Sequence, residues 1–522
     1  MKFDVKQFDQ YREDNRLEVK QALGGLPGSL WSTYSSFANC YGGVIILGVS
    51  ERKDGSWQTV GLKKENARKL IKAFWDIINN PQKVSVNLLT EKDVQTYEVG
   101  DDVVVAIHVP RAPRQDRPVY LNNDPIGQTY RRSFEGDYRC SRGEIGAMFR
   151  DQSETSMDME ILDNIPMDYL NRESVRGYRN LHKVVKDGHP FGRLTDEEFL
   201  RCVGAAGVSE RDGKYHPTGA GLLMFGDEYN IVRRYHEYFL DYRETLDPTI
   251  RWTDRVQSSS GEWSGNVFDF FYRVYNKIIK EVKTPFKLVG AFRVDDTPVH
   301  KALREALVNC LTNADFDEPR GVVIKLENHT LTLENPGSIR VGKRQMRLGG
   351  VSDSRNKGLM KLFNLIDIGE RAGSGVPGIC NVWEDNGFAA PEIIEEFNPG
   401  RTKLILSFEK KEAGKSDESK EQSNKRTSTA SKTVAKKGKD NIPKWASKSA
   451  RELLEKSSAP KCKTIIAILS AIRADDKSSS EQIAESVDLS ARTVRRYLQE
   501  LRKYNAIRRE GSDKNGFWII NE

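Results

Sequence analysis

The chain has 522 residues, which is long enough for several globular domains. It has no apolar run of about eighteen residues, so the sequence predicts no membrane-spanning segment, and we expect a cytoplasmic protein. Six scattered cysteines without a CxxC pair exclude a zinc ribbon and a disulfide framework. The net charge of +7 comes mostly from residues 410–439, where ten Lys/Arg against four Asp/Glu leave an excess of six. This segment has no aromatic residue and predicts a basic disordered linker, either a solubilising tether or a non-specific phosphate-binding arm.

Residues 1–150 alternate between helix and strand patterns. The run SLWSTYSSFAN predicts a helix that ends near Gly42, and VIILGVS predicts a buried strand. SVNLLTE, TYEVG and VVVAIHV predict further strands. At the start, EDNRLEVK separates Glu13 from Glu18 by five positions, an interval that regular structure would not bring together. Glu18 and Lys20 would share one face of a short strand, because side chains alternate with a period of two.

The order of E-x4-E-x-K, an FAN…GG helix end and an apolar strand closing in GV resembles the AlbA-like domain of the Schlafen family. The resemblance implies nucleic-acid binding and, as in the nuclease members, cleavage of RNA, chiefly tRNA, with three carboxylates and Mg²⁺ or Mn²⁺. Those carboxylates are implied at Glu13, Glu18 and Glu51, with Lys20 offsetting their charge. The family has aspartate at the third position, and the third ligand would be missing if that position corresponds to Ser50 instead of Glu51. A contact with substrate, or a cross-strand ion pair, would account for Glu18 and Lys20 as well.

Basic residues follow among tyrosines near the end of this region. They fit a surface that tracks phosphates, and a solvated charged face is the alternative. The residues are Arg131, Arg132, Arg139 and Arg142.

Residues 151–295 carry no chemistry that the sequence reveals, and we interpret them as a connecting α/β region. After them, HKALREALVNCLTNADF has helical spacing and places Glu305 and Asn309 on one face. Two strands and a loop rich in glycine and arginine then lead to G-x-G-x-x-G at Gly373, Gly375 and Gly378. Since this motif does not follow a strand, it does not predict a Rossmann fold; it leads into a helix whose N-terminus suits phosphate.

This constellation is similar to the ATP-binding module of gyrase, the Hsp90 chaperones and histidine kinases, a Bergerat-type α/β sandwich that we place at 296–409. The similarity implies that Asn309 helps to hold Mg²⁺, that Glu305 positions a water, and that about 349–372 form a lid. Asn335 stands where the family has the aspartate that reads adenine. Nucleotide binding, ATP hydrolysis and a degenerate structural module are the alternatives. The implied nucleotide-binding residues are Glu305, Asn309, Asn335, Gly337, Gly373 and Gly375.

A linker at 410–445 separates this body from a tail at 446–522. KTIIAILSAI, SSEQIAESV and SARTVRRYLQELRKY predict three helices, and AIRREGSDKNGFWII predicts two strands around a turn. Together they predict a winged helix-turn-helix, which serves either nucleic-acid or protein binding. The residues at the N-terminal half of the third helix, where such helices meet bases or phosphates, are Arg492, Thr493, Arg495 and Arg496.

The sequence therefore predicts an α+β multidomain protein with nucleic acid as its partner, no membrane, and a homo-oligomer among its expected states. The leading hypothesis is a metal-dependent RNA nuclease regulated by nucleotide binding. Family analogy extends it to stress or phage defence. The alternative is a non-catalytic DNA-binding transcriptional regulator with a nucleotide-sensing module.

Overall fold

The structure is a computed structural model that describes residues 15–245, 252–281, 287–289, 292–294, 297–369, 375–410, 459–474, 478–487, 491–504, 506–510 and 517–520. The chain divides into two compact units, Met1–Lys411 and Glu412–Glu522. Among the described residues, no helix has the length and apolar character needed to cross a membrane. The basic linker predicted at 410–445 lies outside the described residues, apart from Lys410.

The first part of the larger unit is an α/β domain. Its elements in chain order are β1 (Leu17–Lys20), α1 (Ser29–Asn39), β2 (Gly43–Leu47), β3 (Val49–Glu51), β4 (Trp57–Thr59), α2 (Lys64–Ile78), β5 (Val94–Val99), β6 (Asp102–Val109), β7 (Tyr130–Ser133), β8 (Gly136–Arg139) and α3 (Arg142–Gln152). Four strands form a sheet in the order β1-β2-β6-β5, with β1 parallel to β2 and the other pairs antiparallel. Two antiparallel hairpins, β3-β4 and β7-β8, stand beside it.

The central strands β2 and β6 are buried on both faces, because their residues alternate between two apolar clusters. Ile45 and Leu47 belong to the cluster that α1 and α2 cover. Glu18 is opposite Ile45 and Lys20 is opposite Leu47 in the parallel register of β1 and β2. The prediction that Glu18 and Lys20 share a face is therefore confirmed.

Two strand predictions in this domain are wrong in detail. SVNLLTE forms no strand; instead the Tyr34 hydroxyl donates to the Val86 carbonyl (3.1 Å) and accepts from the Leu88 amide (3.0 Å), so a side chain satisfies this backbone. VIILGVS is divided into β2 and β3 at Gly48, which has φ +88°. A residue with a side chain rarely adopts that conformation.

The remainder of the larger unit is built on a six-stranded sheet with helices packed against it. Its elements are α4 (Arg172–Val185), α5 (Asp196–Val203), β9 (Ala206–Val208), β10 (Tyr215–Pro217), α6 (Gly219–Phe225), α7 (Glu228–Ile231), β11 (Leu240–Thr245), β12 (Asp254–Gln257), α8 (Val267–Glu281), β13 (Lys287–Val289), β14 (Phe292–Val294), α9 (Pro298–Thr312), β15 (Val322–Glu327), β16 (Thr330–Pro336), α10 (Lys343–Leu348), α11 (Lys357–Leu365), α12 (Gly375–Asp385), β17 (Glu392–Phe397) and β18 (Gly400–Ser407).

The sheet runs in the order β12-β11-β15-β16-β18-β17, with β11 parallel to β15 and the other pairs antiparallel. Strands β11 and β12 come from 240–257, within the region that the sequence suggested was a connector. That region thus completes the sheet that carries the predicted ATP-binding residues. Its helices α4, α6 and α8 share one apolar core with α9 and α11.

Arginines of the N-terminal domain form ion pairs with carboxylates of the six-stranded part. Arg111 makes a bidentate pair with Glu395 (2.7 and 2.8 Å), whose side chain is only 4% exposed. Arg114 donates from Nε to Asp353 at 2.6 Å. Arg150, from α3, contacts Asp315 at 3.0 Å and Glu318 at 2.8 Å. These contacts join the two parts of the larger unit; we name them the arginine interface.

The described part of the smaller unit has the predicted three helices and hairpin. These elements are Ala459–Ala474, Ser480–Ser486, Ala491–Lys503, Ile507–Glu510 and Phe517–Ile520. Ser479 caps the second helix in a reciprocal pair with Gln482, one residue later than the predicted serine and glutamate. The hairpin closes the core with Trp518, whose indole N–H donates to the Ser478 carbonyl at 3.1 Å.

We expect Arg111→Ala to lower the free energy of unfolding of the larger unit by about 3–5 kcal/mol, because it leaves the Glu395 carboxylate buried and unpaired. The control is Lys63→Ala, which removes a solvent-exposed lysine from its contact with Asp102 and should cause a much smaller loss. Urea unfolding followed by circular dichroism measures both. Equal losses in the two variants would contradict the stabilising role of the arginine interface.

Candidate functional site

A cleft opens beside α9 and β16 and encloses about 920 Å³ of empty space that extends into solvent. It brings together four of the six predicted nucleotide-binding residues: Glu305, Asn309, Asn335 and Gly375. Gly337 directly follows β16, and Gly373 lies outside the described residues. The helical spacing of Glu305 and Asn309 therefore places both on a cleft wall.

The start of α12 packs closely against the polar face of α9. The Asn309 amide donates to Glu305 Oε1 at 3.1 Å. A Cβ atom at Gly375 would collide with Glu305 and would lie 2.9 Å from Asn309 Nδ2. Glycine thus allows the N-terminus of α12, with its free backbone N–H groups, to approach these side chains.

Asn335 is buried at the end of β16, and the backbone holds its side-chain amide. Its Nδ2 donates to the Pro336 carbonyl (3.0 Å) and to the Asn313 carbonyl (3.3 Å). The side-chain oxygen is left as the acceptor that Asn335 can offer to a ligand. The side chains around it are largely apolar and suit a planar, weakly polar group: Leu333, Ile339, Val341, Met346, Val351 and Leu404.

Two charged residues, Arg340 and Asp353, also line the cleft, and Asp353 belongs to the arginine interface through its contact with Arg114. Arg340 lines the cleft, donates to the Ser354 carbonyl at 3.0 Å, and has its pKa lowered by burial against the opposing effect of Asp353. Behind it, burial lowers the pKa of Arg355, but Asp151 and Asp315 outweigh burial and raise it overall. Both groups stay charged at neutral pH, so this part of the cleft is fixed by ion pairs.

In the N-terminal domain, Glu18 lies in a cluster of charges. Its two carboxylate oxygens contact Lys20 Nζ (2.8 Å) and Arg132 Nη2 (2.7 Å). Arg132 also contacts Asp137 at 3.0 Å, and its guanidinium lies 5.2 Å from the centre of the Phe37 ring. We name Glu18, Lys20, Arg132 and Asp137 the acidic-basic cluster.

Sequence reasoning missed Asp137. It lies directly opposite Arg132 in the β7-β8 hairpin and accepts hydrogen bonds from Thr33 (2.7 Å) and Ser36 (2.5 Å) of α1. The detectable signal was the hairpin itself, because YRRSFEGDYR places Arg132 and Asp137 at paired positions around a short turn.

The three predicted metal ligands do not meet among the described residues. Glu13 lies outside them, and Glu51 is exposed at the end of β3, where it pairs with Trp57. The part of the chain that the structure describes contains no group of three His, Cys, Asp or Glu side chains that could hold a metal ion. Because both Glu18 oxygens contact cations, the described residues do not fit a divalent metal. The three-carboxylate site stays a prediction.

The four predicted phosphate-tracking arginines differ in exposure. Arg139 and Arg142 are exposed, as predicted. Arg131 is half-buried and contacts Glu144 at 2.9 Å. The surface prediction is wrong for Arg132, whose side chain is only 1% exposed because its guanidinium contacts Glu18 and Asp137.

On the third helix of the smaller unit, buried residues recur at helical spacing and leave the basic residues on the other face: Val494, Tyr497, Leu498 and Leu501 are buried. Arg495 is exposed and pairs with Glu481, and Arg496 is exposed with its guanidinium 5.2 Å from the centre of the Tyr497 ring. Thr493 is half-buried, and the side chain of Arg492 lies outside the described residues.

Comparison with known families identifies the domains of this chain. Residues 13–141 match the family model "Schlafen, AlbA_2", and residues 463–508 match "Winged helix-turn-helix DNA-binding". Residues 320–406 match "Putative ATP-dependent DNA helicase recG C-terminal", a stretch that begins after Glu305 and Asn309. Residues 146–241 match a domain of unknown function. The chain is thus an α+β multidomain protein with a Schlafen AlbA_2 domain, an ATPase-like domain and a winged helix, and the resemblances predicted from the sequence are confirmed.

Two solved structures are similar to parts or most of the chain. The DIP2311 protein from Corynebacterium diphtheriae is 16% identical, with 97% of this chain and 80% of that chain covered and a TM-score of 0.43. The N-terminal domain of a "Putative ATP-dependent DNA Helicase RecG-related Protein" from Nitrosomonas europaea is 26% identical, with 26% and 90% covered and a TM-score of 0.21. No curated protein matches the chain.

We expect Gly375→Ala to weaken binding of Mg²⁺·ATP about tenfold, because the added methyl group displaces Glu305 and Asn309 from the cleft wall. Gly378→Ala is the matched control: it lies on the same helix, and a Cβ there meets no atom within 4 Å. Isothermal titration calorimetry measures both. Identical affinities in the two variants would mean that this end of α12 is not part of a nucleotide site.

Proposed function

We propose that this protein binds nucleic acid under the control of a nucleotide held in the cleft of its larger unit. The observation that carries the proposal is the convergence in one cleft of Glu305 and Asn309 from α9, Asn335 from β16 and Gly375 from α12. The same chain contains a winged helix-turn-helix and an AlbA_2 domain, two domain types associated with nucleic acids.

The cleft residues fit Mg²⁺·ATP. The apolar side chains of the cleft would flank the base, and the Asn335 oxygen would accept from its exocyclic amino group. The N-terminus of α12 would lie near the phosphates, Asn309 would hold the ion, and Glu305 would orient a water. When bound, Mg²⁺ neutralises the charge of the phosphates.

The arginine interface gives the cleft a physical connection to the N-terminal domain. Ile339 lines the cleft, and its amide donates to Glu395 Oε1 at 2.8 Å. Arg111 binds the same Glu395 and also donates to the Ile339 carbonyl at 3.2 Å. A nucleotide that shifts the backbone at Ile339 would therefore also shift Arg111. Two sites are coupled when such a contact differs between the bound and the free state.

The winged helix would bind DNA with the third helix of the smaller unit in the major groove. We expect Arg496→Ala to weaken duplex binding and to reduce the slope of log K against log salt by about 1, because one phosphate contact is lost. Arg176→Ala removes an exposed arginine of α4 instead and serves as the control. Fluorescence anisotropy at several salt concentrations measures both. Equal slopes in Arg496→Ala and the unaltered protein would argue against this contact.

A metal-dependent RNA nuclease is the second candidate. It is favoured by the match of residues 13–141 to the Schlafen AlbA_2 model and not by the acidic-basic cluster, whose carboxylates contact Lys20 and Arg132. Cleavage of tRNA would make the protein a candidate effector in stress or phage defence, a role that rests on family analogy.

The nuclease candidate predicts that labelled tRNA, single-stranded RNA or duplex DNA is cut with Mn²⁺ or Mg²⁺, is not cut with EDTA, and is not cut by Glu18→Gln. The comparison variant is Glu98→Gln, which changes an exposed glutamate of β5 in the same sheet and should leave cutting intact. Assays with and without ATP test control by nucleotide. Binding without cleavage by the unaltered protein, under every metal and substrate, would leave the non-catalytic DNA-binding regulator.

A further inference from the structure

The tip of the β7-β8 hairpin presents a phenylalanine to solvent. Phe134 is 89% exposed, the highest value among the exposed large apolar side chains of the described residues. Its φ is +50°, in the left-handed region where asparagine or glycine would be favoured and a bulky side chain is strained. Phe134 therefore contributes no burial to the fold and adds backbone strain, a combination that is found at functional sites.

The outward face of the hairpin continues from this tip as an aromatic and cationic surface. Tyr138 is 55% exposed, and its ring covers Gly136, where a Cβ atom would lie 2.6 Å from a ring carbon. The Arg131 guanidinium, on the opposite strand of the hairpin, lies 5.8 Å from the centre of the same ring. The exposed Arg139 lies at the base of β8 on the opposite face, which it shares with Asp137, because side chains alternate along a strand.

The inward face of the hairpin is anchored. Arg132 and Asp137 pair across the two strands, and each also binds an element outside the hairpin, Arg132 through Glu18 of β1 and Asp137 through Ser36 of α1. These contacts hold the hairpin in one orientation against the domain. The exposed tip is thus presented by a fixed support next to the acidic-basic cluster.

We infer that Phe134, with Tyr138 beside it, is a stacking site for unpaired bases of a single-stranded nucleic acid. Aromatic rings stack on the faces of bases, which are accessible in a single strand and covered in a duplex. The exposed Arg139, at the base of the same hairpin, adds positive charge for the phosphate backbone of the strand. The inference rests on the proposed nucleic-acid binding and adds that the N-terminal domain binds single-stranded nucleic acid.

The experiment uses the full chain in the Arg496→Ala background, which reduces binding by the winged helix. Fluorescein-labelled oligouridine and oligothymidine of about 16 nucleotides, and a duplex of equal length, are titrated and followed by anisotropy. The test variants are Phe134→Ala and Phe134→Asn. Tyr229→Ala is the matched control, because Tyr229 is also a strongly exposed aromatic residue (66%), on α7.

We expect Phe134→Ala to weaken single-strand binding about 5- to 100-fold, the range for loss of one base-stacking residue, and to leave its salt slope unchanged because no charge is removed. Duplex binding should change less than about twofold, since stacked base faces are not available to the ring. Phe134→Asn should lose binding equally without lowering the melting temperature, because asparagine tolerates a positive φ. A merely structural role for Phe134 would instead lower the melting temperature.

Two results would overturn the inference while leaving the proposed function intact. One is single-strand binding by Phe134→Ala that equals binding by Tyr229→Ala. The other is a change in sedimentation from dimer to monomer in Phe134→Ala without a loss of binding, which would make the tip a contact between copies of the chain. Failure of the unaltered protein to bind any strand or duplex would instead overturn the proposed function itself.

Discussion

The arginine interface is the constraint on which the larger unit depends. Burying ions is costly unless each is paired, so Arg111 and Glu395 can remain buried only while both stay in place. The same holds for Arg355, whose raised pKa reflects the carboxylates of Asp151 and Asp315 around it. Since Asp151 ends α3 and Asp315 follows α9, the positions of these two helices are coupled through shared charges. The cleft wall therefore takes its shape from the N-terminal domain as well as from its own sheet.

The two candidate sites of this unit differ in what their residues leave available to a ligand. In the cleft, the contacts of the Asn335 amide leave its side-chain oxygen as an acceptor, and Gly375 at the start of α12 packs against Glu305 and Asn309. In the acidic-basic cluster, the Glu18 and Asp137 oxygens are engaged by cations and hydroxyl groups. A metal ion at Glu18 must compete with Lys20 and Arg132 for the carboxylate oxygens. This difference is why the nucleotide cleft ranks before metal-dependent cleavage in the proposed function.

The sequence predicted those features that depend on local periodicity. Helical spacing placed Glu305 and Asn309 on one wall, and strand alternation placed Glu18 and Lys20 on one face. It could not predict the burial of Arg132, because that burial depends on Glu18 of β1, which is 114 positions away in the chain. For the same reason the strands β11 and β12 were missed as members of the sheet, since the parallel pairing of β11 with β15 is a long-range contact.

The sequence predicts a separate module at 296–409. The arginine interface, however, joins the six-stranded part to the N-terminal domain. If the chain were divided before α9, the sheet would lose β11 and β12, and the Glu395 carboxylate would lose Arg111. Asp353 and Asp315 would lose Arg114 and Arg150 and keep only the longer contacts with Arg340 and Arg355. Buried carboxylates without cations would either take up protons or draw water into the core. A fragment that keeps both the cleft and the ion pair of Glu395 therefore has to begin upstream of Arg111, inside the residues that match the AlbA_2 model.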